Sequence, residues 1–446
     1  MRLGRFGNLR QKFFDSLLLV LLALAPLTTG YIFYHKSHLE GGASDEVRGV
    51  LFATQLLTLL VIMAGVWIWR HGLIDRSSRL VLRMSFALLV VVALSAFFSG
   101  RPDSYIPTAW LLLGYLLTWS IFAFFKLSIR LVAIALSIGG ALQFMLALSQ
   151  FSFQRVIANK WLGIAEHLPD IAGTSVVETI NGRWLRAYGS LPHPNMLGTY
   201  LAIAALASLF LFLSVRGRWR LLAGLGAMVN ILGMGLTFSR SAFVGFLAGL
   251  VVLLAGYALV TKRSDRRSVL LVAGFSLTIL IAVSALLYEP FLTRIMAIGR
   301  LERISIESRL NQYDEAWGLV KMSPWFGVGP GMMPEVSAYV LAMYPNPWDY
   351  QPIHNLPILI LVETGIVGLI VWLALVLSLL RLGIKTVFRR TGFDSVLPVV
   401  LLIVLLTAGL FDHFVWSSWF GQLLFWASSG LLLAAVRVKI DSSVER

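Results

Sequence analysis

Twelve long apolar runs, separated by polar connections, dominate the pattern of the chain. Each run holds roughly the 20 apolar residues that a helix needs to cross a bilayer. The pattern therefore predicts an all-α, polytopic membrane protein with about 12 transmembrane helices. The predicted spans are 14–34, 50–69, 80–98, 105–125, 130–151, 195–215, 219–237, 241–260, 268–288, 355–380, 396–411 and 417–436.

Two hydrophilic stretches are much longer than the other connections, and loops of such length usually carry function. They divide the chain into five consecutive regions of one integral membrane domain. These are an N-terminal transmembrane bundle (1–151), a first loop (152–194), central helices (195–288), a large loop (289–354) and C-terminal helices (355–446).

Part of the large loop has the pattern of a helix. Between residues 308 and 321, four apolar side chains fall on one helical face: Leu310, Tyr313, Trp317 and Val320. A helix with such a stripe suits the membrane interface. Ordinary packing within the loop is the alternative.

Composition and charge support a membrane protein and indicate its orientation. The chain is 58% hydrophobic and 13% charged, and its net charge is +15. A soluble domain with so many hydrophobic residues would expose much apolar surface. Alternate connections, together with Arg83 just past one of them, hold 24 of the 37 Lys and Arg residues. By the positive-inside rule these connections are cytoplasmic, as are both termini, and the two long loops lie outside. The basic charge thus needs no nucleic acid to explain it. The basic N-terminus leads into a run long enough to span, so we expect a first helix rather than a cleaved signal.

Polar clusters on the outer side are the candidates for chemistry. In the first, Arg186 precedes His193-Pro194-Asn195 at the start of a span. Asn195 can cap that helix, and a helix N-terminus attracts anions. Considered alone, His193 between two prolines is more often structural than catalytic.

The second cluster is a very short outer turn, Thr237 to Ser241. An arginine flanked by hydroxyls, as Arg240 is by Ser239 and Ser241, suits a phosphate group. The alternative is that Arg240 only extends to the lipid headgroups.

The third and fourth clusters lie in and just after the large loop. The third runs from Arg309 to the glycine-rich segment 324–331, which lacks the pattern of a nucleotide-binding loop. The fourth is His354-Asn355 at the start of a span, where a neutral histidine can accept a proton from a hydroxyl. Asp412, near another outer helix end, could orient a histidine or pair with an arginine.

Several kinds of site have no signature in the sequence. No Asp-x-Asp pair and no His, Asp and Glu cluster with metal-ligand spacing is present. The chain contains no cysteine, which excludes disulfides and thiol chemistry. Outer arginines and one histidine fit a substrate that carries its own leaving group, such as a membrane-bound diphosphate.

At these positions the sequence resembles the O-antigen ligase family, which includes O-antigen polymerases and related lipid-linked oligosaccharide transferases. The resemblance covers roughly residues 186–369. It rests on Arg186 with His193-Pro-Asn195, Thr237-Phe-Ser-Arg240, Arg309 with Trp317, Pro324 and Gly327-Val-Gly329, and His354-Asn355 with Gly365 and Gly368.

The resemblance implies a fold and a reaction. Family members are GT-C-like membrane glycosyltransferases with a large periplasmic loop containing short interfacial helices. They use undecaprenyl-diphosphate-linked oligosaccharide and need no metal or other cofactor, and the ligase branch transfers the glycan to the lipid A–core glycolipid. This implies a multi-pass protein of the bacterial inner membrane with a periplasmic active site.

The resemblance also assigns roles to individual residues. His354 is the expected catalytic base. Arg240 and Arg309 are the expected diphosphate ligands, and Arg186 is a third, with Arg183 as the neighbouring alternative. The supporting residues are His193, Asn195, Ser239, Asn355 and Asp412.

Other activities remain open at this stage. An O-antigen polymerase or a protein O-oligosaccharyltransferase would share the fold, donor and residues and differ in the acceptor. A flippase for the lipid-linked glycan belongs to another class. Transporters usually place ionisable groups near the bilayer midplane, whereas these spans are nearly free of charge at that depth.

Overall fold

The computed structural model of the protein describes residues 2–34, 49–68, 76–260, 266–297, 299–341, 350–388 and 392–444. Parts of three connections predicted to be cytoplasmic (residues 70–75, 261–265 and 389–391) lie outside these ranges. Within them, nine helices are long and apolar enough to cross a membrane, and two further apolar helices are shorter. The predicted all-α membrane fold is confirmed, although the count of twelve spans is not.

Most of the long apolar helices begin within a few residues of a predicted span, although the first begins at Arg2 rather than near residue 14. The helices are α1 (Arg2–Ala23), α2 (Ala53–Ile68), α3 (Arg76–Ser99), α4 (Tyr105–Phe124), α5 (Ile129–Ser152), α6 (Pro194–Ser214), α7 (Arg218–Leu236), α8 (Arg240–Val260), α9 (Arg266–Leu286), α10 (Tyr288–Met296), α11 (Arg300–Met322), α12 (Met333–Val336), α13 (Leu356–Phe388), α14 (Val396–Gly409), α15 (Phe414–Ser417) and α16 (Trp419–Val444). Two short antiparallel pairs complete the fold: β1 (Gly30–Tyr34) with β2 (Gly49–Phe52), and β3 (Val176–Thr179) with β4 (Gly182–Leu185).

The first predicted span, 14–34, is wrong at its C-terminal end. Helix α1 ends at Ala23, and the chain becomes strand β1 at Gly30. Pro26 accounts for the break, because proline has no N–H to donate and disfavours helical geometry in the residue before it. The span was predicted from the number of apolar residues in the segment, and that number does not show the break at Pro26.

The described chain forms two compact units, and the first comprises residues 1–29, 126–306 and 383–408. Its central helix is α6, which is buried along nearly its whole length. Small residues permit this close packing. A Cβ at Gly233 of α7, for example, would meet a side-chain carbon of Leu201 in α6 at 3.2 Å.

The second unit comprises residues 30–125, 307–382 and 409–446. Helix α16 packs against α4, and Thr118 donates its hydroxyl to the backbone carbonyl of Trp426 at 2.8 Å. In this unit α13 is interrupted at Gly365, whose φ of 68° is left-handed.

The glycine-rich segment after α11 satisfies backbone groups that the interruption of α13 exposes. The N–H groups of Val328 and Gly329 donate to the carbonyls of Val362 and Glu363, each at 3.0 Å. Beyond the break, the Ile366 N–H donates to the Pro324 carbonyl at 2.9 Å. Unpaired backbone groups are costly in a membrane, so the segment and the break stabilise each other.

The Glu363 side chain is also held at this break. It is fully buried, and its Oε2 accepts a hydrogen bond from Trp416 Nε1 at 2.8 Å. Ser95 donates its hydroxyl to the Glu363 carbonyl at 2.7 Å. Side chains of α3 and α15 therefore contact α13 at its break, near the start of that helix.

Candidate active site

Helix α11 buries several polar side chains and exposes several large apolar ones. Gln312 and Glu315 are buried and Arg309 is half-buried, whereas Leu310 is 62% and Trp317 59% exposed. A helix on a water-soluble protein shows the reverse arrangement. The helix predicted in the large loop is confirmed. Its contact with the membrane interface stays a prediction, which the outward apolar stripe favours.

His354 lies directly before α13, and both its backbone and its ring bond to Gln312. Its backbone N–H donates to Gln312 Oε1 at 3.2 Å, and its Nδ1 lies 3.1 Å from the same oxygen. Because Gln312 is on the inward face of α11, these bonds join the helix to the loop that ends at α13. The imidazole is thereby held in one orientation.

A second imidazole stands beside the first. The rings of His354 and His413 meet edge to face, with centroids 5.1 Å apart and planes at 81°. His413 lies in the turn after α14, where Asp412 Oδ1 accepts its backbone N–H at 2.8 Å. The Nδ1 of His413 is 2.5 Å from the Ser417 hydroxyl oxygen. Asp412, predicted as a supporting residue, thus adjoins a pair of histidines.

Both rings are uncharged at physiological pH. Burial is the largest cause that lowers the pKa of His354; with the reinforcing effects of His413 and Arg309 and the opposing effect of Asp412, that pKa is about 3. Burial likewise lowers the pKa of His413, with Asp412 opposing and Arg309 reinforcing the change. Each neutral imidazole keeps one nitrogen lone pair that can accept a proton.

Asn355 caps the helix that follows His354. Its Oδ1 accepts the N–H of Ile358 at 3.2 Å, the arrangement of a helix N-cap. Its Nδ2 donates to the Leu410 carbonyl at 3.5 Å. Asn355 therefore holds the start of α13, which is consistent with the supporting role expected of it.

In the first unit, Arg186 is a buried residue. It is 4% exposed, its Nε donates to the Thr237 carbonyl at 2.8 Å, and its Nη2 donates to Asn195 Oδ1 at 2.7 Å. These bonds join the segment before α6 to the end of α7. The geometry thus supports a positioning role for Arg186, and its expected contact with diphosphate stays a prediction.

His193 acts as the N-cap of α6. Its Nδ1 accepts the N–H of Asn195 at 3.1 Å, and its Nε2 is 3.2 Å from the Ser175 hydroxyl oxygen. Both ring nitrogens therefore have partners within the protein. This is the structural role that two flanking prolines favour.

Arg240, at the first position of α8, belongs to a charged cluster. Its Nη1 donates to the Arg294 carbonyl at 3.2 Å, and its Nη2 lies 3.5 Å from the Glu302 carboxylate. Arg294 also pairs with Glu302 and donates through its Nε to the Phe238 carbonyl at 3.3 Å. The buried carboxylate of Glu302 thus pairs with two guanidinium groups and leaves the three side chains with one net positive charge, while the side chain of Arg240 stays 38% exposed.

The two serines beside Arg240 form hydrogen bonds within the protein. Ser239 and Ser241 are buried, and their hydroxyl oxygens lie 3.1 Å apart. Ser239 Oγ also accepts the Ala242 N–H at 3.4 Å. The described contacts tie both serines to the start of α8, so any bond of Ser239 to a phosphate stays a prediction.

Replacing Arg186 by Met should lower the free energy of unfolding by about 3 kcal/mol, because two charge-assisted hydrogen bonds of roughly 1.5–3 kcal/mol each would be lost. Thermal unfolding of the full chain in nanodiscs measures this. Arg155→Met is the control, since Arg155 forms an exposed ion pair with Glu166 at 2.7 Å that should contribute at most about 1 kcal/mol. A variant of Arg186 that kept wild-type stability but lost donor binding would instead support the diphosphate role.

Sequence reasoning missed three residues that the structure places beside predicted ones. Gln312 contacts His354, while Arg294 and Glu302 surround Arg240. Gln312 follows Arg309 by one helical turn, and that spacing could have revealed it. The partners of Arg240 have no such local signal, because they are more than 50 residues away in the chain.

The described residues include no group of three or more His, Cys, Asp or Glu side chains that could hold a metal ion. The polar clusters instead combine guanidinium, imidazole and amide groups. Guanidinium groups bind phosphate oxygens, and a neutral imidazole accepts a proton. These groups suit the activation of a hydroxyl near an anionic leaving group.

Comparison with known proteins agrees with this chemistry. The family model described as O-antigen ligase matches residues 225–373, a range that contains Arg240, Arg309 and His354. No curated protein matches the chain. The matched range and the apolar helices indicate a membrane glycosyltransferase-type enzyme that acts on lipid-linked glycans. The match covers residues 225–373 of the 446-residue chain, and it supports an assignment of this region to the O-antigen ligase family.

Proposed function

We propose that this enzyme moves a glycan from an undecaprenyl-diphosphate donor to an acceptor hydroxyl, with a lipid A–core sugar as the favoured acceptor. The observation that carries the proposal is His354, an uncharged imidazole fixed at the start of α13 by Gln312. The positive charge of Arg309 lowers the pKa of this ring, so a cation lies close enough to act on it. A base next to a cation suits a reaction between a hydroxyl and a diphosphate ester.

His354 is the proposed general base. It removes the proton of the acceptor hydroxyl while the oxygen attacks the anomeric carbon of the donor sugar. The bond from that carbon to the diphosphate oxygen breaks, and its electron pair leaves with undecaprenyl diphosphate. A single displacement of this kind inverts the anomeric configuration.

Arg240 and Arg309 are the proposed diphosphate ligands. A guanidinium group offers two parallel N–H donors to phosphate oxygens and stays charged at all relevant pH values. Arg240 is partly exposed while Glu302 and Arg294 hold it, and Arg309 is half-buried on the inward face of α11. Arg186 is proposed to act less directly, by holding Asn195 and the end of α7.

The proposed location is the bacterial inner membrane, with both termini in the cytoplasm and the active site on the periplasmic face. The excess of basic residues in alternate connections supports this orientation. Labelling of single cysteines introduced at exposed sites would test it, because the natural chain has none. A label at Asn311, which precedes Gln312, should react from the periplasmic side only.

Purified full-length protein, a defined undecaprenyl-diphosphate glycan and a panel of acceptors provide the test of function. We expect transfer to lipid A–core, and the product should persist when a chelator is present. Transfer only to a second lipid-linked glycan would identify a polymerase, and transfer only to a protein would identify an oligosaccharyltransferase. Movement of labelled donor across liposomes without any transfer would favour a flippase.

The pH dependence of transfer should reflect the low pKa of His354. Because burial lowers that pKa to about 3, the free enzyme keeps its base uncharged on acidification. We therefore expect kcat/KM to stay nearly constant from about pH 7.5 to pH 5.5, since this parameter reports the free enzyme. The acid limb of kcat should lie at higher pH, because a bound anionic donor raises the pKa of a nearby imidazole. An acid limb of kcat/KM near pH 6.5 would contradict the low pKa of His354.

A further inference from the structure

Gln312 is the nearest polar partner of the proposed base that sequence reasoning did not identify. It is 3% exposed and projects from the inward face of α11. One oxygen, Oε1, lies 3.2 Å from the backbone nitrogen of His354 and 3.1 Å from its ring Nδ1. Two groups of the same histidine therefore share one amide oxygen.

The backbone contact determines which way the amide of Gln312 points. A backbone N–H can only donate a hydrogen bond, so the side-chain atom that faces it must be the carbonyl oxygen and not the NH₂ group. Nδ1 of His354 faces that same oxygen, which can only accept. Nδ1 must therefore carry the ring hydrogen.

The position of this hydrogen determines where the ring can accept another proton. A neutral imidazole has one N–H and one lone pair. With the hydrogen on Nδ1, the lone pair is on Nε2. In the opposite tautomer, a lone pair of Nδ1 would face a lone pair of Gln312 Oε1. Nε2 would then carry the ring hydrogen and could not accept a proton.

The geometry points to Gln312 as the positioning residue that holds His354 in the Nδ1–H tautomer, with Nε2 available to accept the proton of the acceptor hydroxyl. This inference rests on the proposed role of His354 as base. In the step, the hydroxyl O–H bond breaks and the Nε2–H bond forms. The oxygen bonds to the anomeric carbon, and the electron pair of the broken C–O bond leaves with the diphosphate. The imidazolium then releases its Nε2 proton to water.

The other polar groups near His354 do not determine the tautomer in this way. Arg309 has only donors, so it cannot accept the Nδ1 hydrogen. His413 meets the ring edge to face at a centroid distance of 5.1 Å. Asp412 Oδ1 accepts the backbone N–H of His413.

An amide suits this task better than a carboxylate. A glutamate at position 312 could also accept from Nδ1, but its charge would stabilise the imidazolium and raise the pKa of His354. The base would then be protonated over part of the working range of pH. Gln312 orients the ring without adding a charge.

The first test is spectroscopic and needs no turnover. Full-length protein with ¹⁵N-labelled histidine is placed in nanodiscs, and the His354 signals are assigned by difference from His354→Asn. We expect a protonated Nδ1 and an unprotonated Nε2 in the wild type, and a mixture of tautomers in Gln312→Leu. A wild-type signal with the hydrogen on Nε2 would overturn the inference, whatever the activity.

The second test uses rates. By analogy with outer partners that orient functional histidines, Gln312→Leu should lower kcat roughly 10- to 100-fold, with KM for the donor nearly unchanged. Gln312→Glu keeps the accepting oxygen, so it should recover activity at high pH and move the acid limb of kcat/KM upward. The control Asn311→Leu, at the exposed neighbouring position of α11, should resemble the wild type.

The two proposals fail in different ways. If His354→Ala remained active, His354 would not be the base, although the tautomer could still be as inferred. If His354→Ala were inactive but Gln312→Leu kept both the wild-type tautomer and the wild-type rate, only the role of Gln312 would fail. Loss of expression of Gln312→Leu would leave Gln312→Glu and the wild-type spectrum to decide.

Discussion

Replacing His354 by Ala is expected to lower kcat for glycan transfer by about 10²- to 10⁴-fold, the usual contribution of a general base. The ring contributes to proton removal and not to the binding of diphosphate, so affinity for the donor should change little. Single-turnover transfer measures the rate, and equilibrium binding of labelled donor to protein in nanodiscs measures the affinity. Near-normal turnover of the purified variant would refute the base assignment.

His413 requires a companion variant, because its ring is next to that of His354 and is also uncharged. The Nδ1 of His413 is engaged with Ser417, and burial lowers its pKa as well. With His354 as the base, His413→Asn should reduce kcat much less than His354→Ala. The reverse order of losses would transfer the role of base to His413.

Gly365→Ala is expected to lower the stability of the protein strongly. Gly365 has a φ of 68°, and an added Cβ would overlap the backbone carbonyl of Trp325 and lie 2.5 Å from the nitrogen of Phe326. The left-handed conformation costs a non-glycine residue about 1–2 kcal/mol, and overpacking typically adds about 1–3 kcal/mol. Backbone atoms cannot rotate away as a side chain can. We therefore expect a loss of about 2–5 kcal/mol, seen as low yield of monodisperse protein and a reduced Tm.

Gly327 provides an independent check on the same contact. It also has a left-handed φ, of 71°, and a Cβ there would overlap the backbone of Glu363 and Thr364 on the other side of the break in α13. Gly327→Ala should therefore resemble Gly365→Ala. Gly274→Ala is the control, because Gly274 is an exposed residue of α9 with no atom within 4 Å of an added Cβ. Wild-type stability of both Gly327→Ala and Gly365→Ala would contradict the mutual support of the break and the loop.

The same contact bears on function. His354 lies just before α13, and the break in that helix is at Gly365. The segment that pairs with the break follows α11, the helix that carries Arg309 and Gln312. The backbone hydrogen bonds between the two segments hold the end of α11 against α13, which helps to keep Gln312 and His354 at hydrogen-bond distance. A milder substitution at Gly365 that folds is therefore expected to reduce kcat, since small misplacements of a catalytic group are costly.

The sequence alone was sufficient for the membrane fold and for most helix positions. Apolar runs of spanning length have few other stable arrangements, because lipid requires every backbone polar group to be paired within the chain. The helix in the large loop followed from its apolar stripe in the same way. The boundary at Pro26 was missed because hydropathy averages over a window and does not register one missing N–H.

The tertiary structure alone decided which polar residues meet. Hydrophobic periodicity carries no information about contacts between distant segments, so it could not show that Glu302 pairs with Arg240, that Arg186 is buried against Asn195, or that His413 adjoins His354. It also could not show that Gln312 binds the ring of His354. Such contacts depend on directional hydrogen bonds formed only after the helices pack, since each donor and acceptor must then find its partner within about 3 Å.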